Sequence, residues 1–210
     1  MTDIIISGTD TNVGKTVLSA LLMASLPDYY YWKPIQAGTL EETDAVSVRR
    51  LSGCNAGRII PERYLLSQPL SPHAAARFES IRIDPQSLTL PEKSPVIIEG
   101  AGGLLVPLNE DTLLVDVFKR WDLPVLLACR SGLGTINHTL LSIEALRNRD
   151  ISILGVVVIG PHNNSNELAI ERYGSVPVLG RIPPLTSLTS ENLREVYSTQ
   201  FQPFETTVNA

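Results

Sequence analysis

Several things are scarce in this chain of 210 residues. There are two cysteines, Cys54 and Cys129, without CxxC spacing, so neither a disulfide framework nor a cysteine metal site is implied. Cys129 ends an apolar run and reads as a small buried hydrophobe. Basic residues are not in excess: 17 Lys and Arg face 22 Asp and Glu, a net charge of −5, which argues against a nucleic-acid partner. No stretch approaches the ~20 apolar residues of a membrane span. Met1-Thr-Asp leads directly into Ile4–Ile6, with no basic leader and no long apolar h-region. The expectation is a soluble, cytoplasmic protein with no membrane partner. Repeats, low-complexity tracts and linkers are absent too, so residues 1–210 read as a single domain.

What is present is an alternation of short apolar runs with longer helix-like segments. The runs are Ile4–Ser7, Tyr29–Lys33, Pro95–Glu99, Val125–Cys129, Ile153–Ile159 and Val176–Gly180, with Leu104–Val106 as a further short candidate. Most are apolar throughout, as strands covered on both faces are. The fold class is therefore α/β, a doubly wound, mainly parallel sheet of about six or seven strands with helices on both faces. Lys15–Leu26 is apolar nearly all round and reads as a helix beside the sheet. Leu113, Leu114, Val117, Phe118 and Trp121 form a helical stripe that Asp111 or Thr112 would cap, and Ile136, Leu140, Ile143 and Leu146 form another. Residues 34–94 carry five prolines beyond Pro34 and must break repeatedly, with helices near Asp44 and His73–Phe78. Connections this long in a compact domain are often functional.

Residues 8–16 read GTDTNVGKT between a strand and a helix, the setting of a phosphate-binding loop. Gly8 permits the turn and Gly14 lets backbone N–H groups approach an anion. The helix start adds unpaired N–H groups and its positive end. Lys15 is placed to reach β- and γ-phosphates and the Thr16 hydroxyl to meet magnesium. Five residues separate the glycines instead of four, so Thr9 holds the usual first-glycine position. Lys33 ends the second strand at the same sheet edge, where it is either a second phosphate-facing cation or a surface lysine. Glu99 ends the third strand and is followed by Gly100-Ala101-Gly102-Gly103, which suits a magnesium-holding carboxylate better than a solvated one. Asp44 is either a helix-start residue or a third magnesium ligand. His73, after Ser71-Pro72, caps a helix or contacts substrate.

Taken in order, GTDTNVGKT, KPIQAG at 33–38, Asp44, SPH at 71–73, IIEGAGG, GLGTINH at 132–138 and GRIPPL at 180–185 resemble the dethiobiotin synthetase family. The resemblance implies a P-loop NTPase-like fold and a homodimer with its active site at the interface. It implies 7,8-diaminononanoate, carbon dioxide and ATP as substrates and Mg2+ as cofactor. In that family an amine becomes a carbamate, ATP phosphorylates it, and the second amine closes a cyclic urea. By resemblance, Lys15 and Lys33 are catalytic. Asn12, Val13, Gly14, Lys15, Thr16, Val17, Asp44, Glu99, Gly100, Ala101 and Gly102 contact ATP. Thr16, Asp44 and Glu99 surround the metal, and Thr11, Lys33 and Ala37 meet the substrate. Leu133–Asn137 matches the segment that holds the substrate carboxylate.

This sequence departs from the family pattern at three places. Asn12 replaces a usual Glu, Ala37 a usual hydroxyl residue, and Ile159 or Gly160 an Asn that reads adenine, which predicts weak discrimination among nucleoside triphosphates. The rival readings are a partitioning-type ATPase and a non-catalytic domain of related fold. The first carries an extra lysine early in the loop, where this chain has Thr9, Asp10 and Thr11; intact Lys15, Thr16, Lys33, Asp44 and Glu99 oppose the second.

Overall fold

The computed structural model describes residues 2–39 and 42–202. In chain order the elements are β1 (Ile4–Gly8), α1 (Lys15–Ser25), β2 (Tyr30–Trp32), β3 (Ile35–Ala37), α2 (Asp44–Ser52), β4 (Ile59–Ile60), β5 (Tyr64–Leu66), α3 (Pro72–Phe78), β6 (Val96–Gly103), α4 (Leu114–Trp121), β7 (Val125–Arg130), α5 (Thr135–Arg147), β8 (Ile153–Ile159), α6 (Asn164–Gly174), β9 (Val178–Ile182) and α7 (Ser190–Gln200).

Seven strands form one sheet in the order β4-β2-β6-β1-β7-β8-β9, every pairing parallel. Parallel neighbours need crossovers, and the helices supply them on both faces. Ile4 and Ile6 of β1 point to the face covered by α1, α2 and α7, while Ile5 between them meets the opposite face with Phe118 of α4. This is why β1 has no polar alternation: both of its faces are core. The strand order turns outward in both directions from β1, so the carboxyl ends of β2, β6, β1 and β7 surround one crevice, where such sheets bind ligands.

The doubly wound parallel sheet is as expected, with differences at its margins. Leu104–Val106 is turn and not strand, because β6 itself runs on to Gly103, its register against β1 shifting between Ile6↔Glu99 and Gly8↔Gly103. The last expected strand lies two residues further on, at Val178–Ile182; Pro177 has no N–H for the ladder and only its carbonyl is used, by the Val156 N–H. Neither Asp111 nor Thr112 caps α4. Asn109 Oδ1 accepts both of their N–H groups, and the cap falls on Leu113, whose N–H donates to Asp116 Oδ2 at 2.9 Å. The broken segment also contains the small parallel pair β3·β5 and the edge strand β4, too short to carry a periodicity. Cys129 is fully buried, as read from the sequence.

Candidate active site

Residues 9–14 wrap from β1 to α1 as a closed loop. Asn12 and Gly14 both take positive φ (57° and 101°); at Gly14 a side chain would also collide with Ile159. Gly14 caps α1 without a side-chain acceptor, so the first turn keeps its N–H groups for an anion. Lys15 is buried at 6% exposure, its ammonium folded back onto the Asp10 carbonyl at 2.9 Å. Burial pulls its pKa down to about 8, against the opposing pull of Glu99 and with the help of nearby Lys33.

Four chain segments meet beneath this loop. Thr16 Oγ1 lies 2.8 Å from Asp44 Oδ1 and 3.0 Å from Glu99 Oε1. Lys33 Nζ sits 3.0 Å from Glu99 Oε1 and is also ion-paired with Asp44 Oδ2. Glu99 is wholly buried, and its second oxygen accepts from Ser19 (2.7 Å) and Tyr31 (2.9 Å). Burial alone would lower the Lys33 pKa, but the Glu99 and Asp44 carboxylates outweigh it and raise it. The converse holds for Asp44: burial pushes its pKa up, yet Lys33 and the Thr16 hydroxyl bring it below the ordinary value. Two ammonium groups therefore face two carboxylates, a balance that makes burial of Lys15, Lys33 and Glu99 tolerable, with Asp44 partly exposed.

This cluster floors a cleft of about 1040 Å³. Of the residues singled out from the sequence, Thr11, Asn12, Gly14–Val17, Lys33, Ala37, Asp44, Glu99, Ala101 and Gly102 line it. Val13 and Gly100 do not: Val13 packs under Gly8, and Gly100 abuts Phe118 and Leu114. Lys33 and Glu99 are not the exposed strand-end residues that their positions also allowed. Asp44 opens α2 while Thr43 caps it, accepting from the Val46 N–H, so the Asp44 carboxylate is free for the cleft. His73 stays outside, its Nδ1 3.1 Å from Ser71 Oγ, while Ser71 and Pro72 line the wall. Leu133–Asn137 also lies outside the cleft, with Leu133 fully exposed beside the αL Gly134 that caps α5.

Three polar residues of the site escaped the sequence reading. Ser19 falls three residues after Thr16 on α1, and Tyr31 on β2 two before Lys33, which follows the strand, so each points the same way as a residue that was identified. Gln36 is buried; its amide donates to the Ala37 and Gly38 carbonyls and its oxygen accepts from the Asp44 N–H at 3.2 Å, tying α2 to β3. Only the "KPIQAG" spacing hinted at it.

The Thr16 hydroxyl lies within hydrogen-bond distance of both Asp44 and Glu99, and the three supply hard oxygens, a donor set that fits magnesium.

A phosphate loop with this acid–lysine floor is shared by many nucleotide enzymes, and sequence similarity separates them. A family model described as an AAA domain matches residues 2–192. The ATP-dependent dethiobiotin synthetase BioD of Afipia carboxidovorans is 54% identical over 202 residues, 95% of this chain and 96% of that one. The chain belongs to the dethiobiotin synthetase family. Family members of the same name from Rhodopseudomonas palustris (51% over 199 residues, 94% and 93% of the two chains) and Agrobacterium fabrum (50% over 198 residues, likewise 94% and 93%) agree. Solved structures extend the likeness of fold alone. The septum site-determining protein MinD complexed with Mg-ADP from Pyrococcus horikoshii superposes with TM-score 0.59 at 16% identity, covering 93% of this chain and 86% of that one. A ParA family ATPase from Chlorobium tepidum gives 0.55 at 12%, covering 94% and 93%. That fold is what this family member has in common with partitioning ATPases; Thr9–Thr11 carry no lysine.

Proposed function

We propose that this chain is an ATP-dependent dethiobiotin synthetase that turns 7,8-diaminononanoate, carbon dioxide and ATP into dethiobiotin, ADP and phosphate, the residues of the one catalytic unit acting in the cytoplasm. The observation that carries the reading is the meeting of Lys15, Lys33, Thr16, Asp44 and Glu99 on one cleft floor, in a chain half identical to enzymes of that name.

The chemistry asks for little covalent work from the protein. One amine adds carbon dioxide and loses a proton, giving a carbamate. A carbamate oxygen takes the γ-phosphoryl group and ADP leaves. The second amine then attacks the carbamoyl carbon, phosphate departs, and the ring closes. What the chain must supply is position and charge. Backbone N–H groups of Gly14–Val17 cradle the phosphates, with Asn12, Val13 and Gly100–Gly102 shaping the loop walls. Lys15 leaves the Asp10 carbonyl for the phosphate oxygens. Lys33, already anchored by two carboxylates, presents its ammonium to the carbamate and the transferring phosphoryl group. Thr11 and the backbone at Ala37 bound the diamine. Thr16, Asp44 and Glu99 would hold Mg2+, which when bound supplies positive charge beside the phosphates.

The enzyme acts as a homodimer in this reading. Leu133, Leu105 and Leu70 are exposed apolar side chains, Leu70 on the cleft wall itself, and Leu133–Asn137 of a second copy would meet the substrate carboxylate with the free N–H groups of α5. Sedimentation velocity tests the pairing. The activity is tested by supplying the diamine, bicarbonate and Mg-ATP and following ADP and dethiobiotin together; ADP release indifferent to the diamine defeats the proposal.

A further inference from the structure

Glu99 is held by two pairs of donors that come from two chain segments at fixed spacings. Thr16 and Ser19, three apart on α1, and Tyr31 on β2 with Lys33 directly after that strand, each deliver one donor to each carboxylate oxygen. The sorting is not random. Thr16 and Lys33, which line the cleft, bond Oε1; Ser19 and Tyr31, both wholly buried and absent from the cleft wall, bond Oε2. Each oxygen therefore has about two acceptor sites filled, but Oε2 is held by two buried hydroxyls at 2.7 and 2.9 Å, whereas the partners of Oε1 line the cleft, where the Thr16 hydroxyl can turn away for an entering cation.

We infer that Ser19 and Tyr31 are positioning residues that confine Glu99 to single-oxygen contact with whatever cation enters the cleft, and thereby set its preference for Mg2+ over Ca2+. The inference rests on the proposed magnesium role of Glu99. Mg2+ is content with one oxygen from each of one or two carboxylates and fills its shell with water and phosphate. Ca2+ is larger, takes six to eight oxygens, and commonly engages both oxygens of a carboxylate. With Oε2 filled from behind, Glu99 cannot offer a second oxygen without breaking two buried hydrogen bonds. The hydroxyls of Ser19 and Tyr31 are thus a selectivity device, placed where no ligand touches them. A side chain that only filled space would not sort its bonds by oxygen.

The test uses full-length protein with ADP and Mn2+, following bound Mn2+ by electron paramagnetic resonance while Mg2+ or Ca2+ displaces it. Ser19→Ala and Tyr31→Phe each delete one hydroxyl and little volume, and the double variant deletes both. The expected result is a shift of the Ca2+-to-Mg2+ displacement ratio toward Ca2+ by about tenfold in the double variant, of the size that loss of outer partners produces at metal sites, with smaller shifts in the singles. If the double variant does not fold, the singles carry the comparison, read against their thermal melts. An unchanged ratio, or equal weakening of both cations, overturns the inference while leaving the functional reading intact. Wild-type protein that binds ADP but no Mn2+ defeats the magnesium reading itself, and this inference with it.

Discussion

The two halves of the cleft's sheet edge are built on opposite principles. Around the carboxyl ends of β1, β2 and β6, the charged groups are committed: Glu99 takes four donors and Lys33 bridges two acids. At the carboxyl ends of β7 and β8, on the other side of the phosphate loop, stand Arg130, exposed and donating to the Thr11 carbonyl at 3.1 Å, Ile159, packed on Gly14, and Gly160, pressed against Ser131. The polar side chains of the loop beyond are used internally. Asn163 caps α6, Asn166 donates to the Ser131 carbonyl, and His162 pairs with the buried Glu167, itself held by Arg181. One half is built around charge; in the other, the polar side chains of the loop after β8 are tied to the protein itself. The contrast teaches that buried charge is gathered on one side of the phosphate loop and apolar packing on the other.

The comparison can be broken from the reactive half first. Lys15→Ala should cut kcat by about 10²–10³ or more, the loss expected when one preorganised donor to developing charge is removed; a steady-state assay that retains more than a tenth of the activity contradicts it. Lys33→Met should be severe in a second currency. It removes the cation in direct contact with both Asp44 and Glu99, and chemical denaturation should show about 3–5 kcal/mol less stability. A variant as stable as wild type would mean that the two acids are not both charged.

The nucleoside half is sharpened by a smaller effect. If Ile159 and Gly160 stand in for a base-reading Asn, kcat/KM for ATP, GTP and CTP should agree within about tenfold, far below the discrimination of a site that hydrogen-bonds its substrate. Strict ATP preference would show that a backbone or partner group reads the base. In the same half, Asn163→Ala should cost about 1 kcal/mol of stability through the lost cap on α6 and leave the kinetic constants alone. The smallest change is expected at Ser7, whose buried hydroxyl has no partner at the end of β1. Ser7→Ala should be neutral or stabilising by about 1 kcal/mol, since an unsatisfied buried hydroxyl is a cost. A clear loss of stability there would reveal a partner for that hydroxyl.

How much of this was legible beforehand follows the range of the interactions. The phosphate loop was readable because strand, loop and helix are consecutive, and its glycines, Lys15 and Thr16 all lie within nine residues. Lys33 and Glu99 were readable as strand ends, but whether they were buried or solvated was not, since that depends on β2 and β6 being neighbours, with Trp32 opposite Ile98. The roles of Ser19, Tyr31 and Gln36 were invisible for the same reason: each acts through a partner at least eight residues away, and Ser19 and Tyr31 through one 68 or more residues away. The cap of α4 was misplaced because Asn109, outside the helical pattern, had already taken the N–H groups of Asp111 and Thr112.

By itself the order of residues determined the class of sheet, the loop that grips an anion and the set of acids and lysines available to it. Those depend on local periodicity, on glycine's freedom and on charge, all properties of short segments. Only the tertiary structure decided which oxygen of Glu99 faces the cleft and that Lys33 stands between two carboxylates. Strand order brings those side chains together across long loops, and a buried charge is tolerable only where several distant segments supply its partners at once.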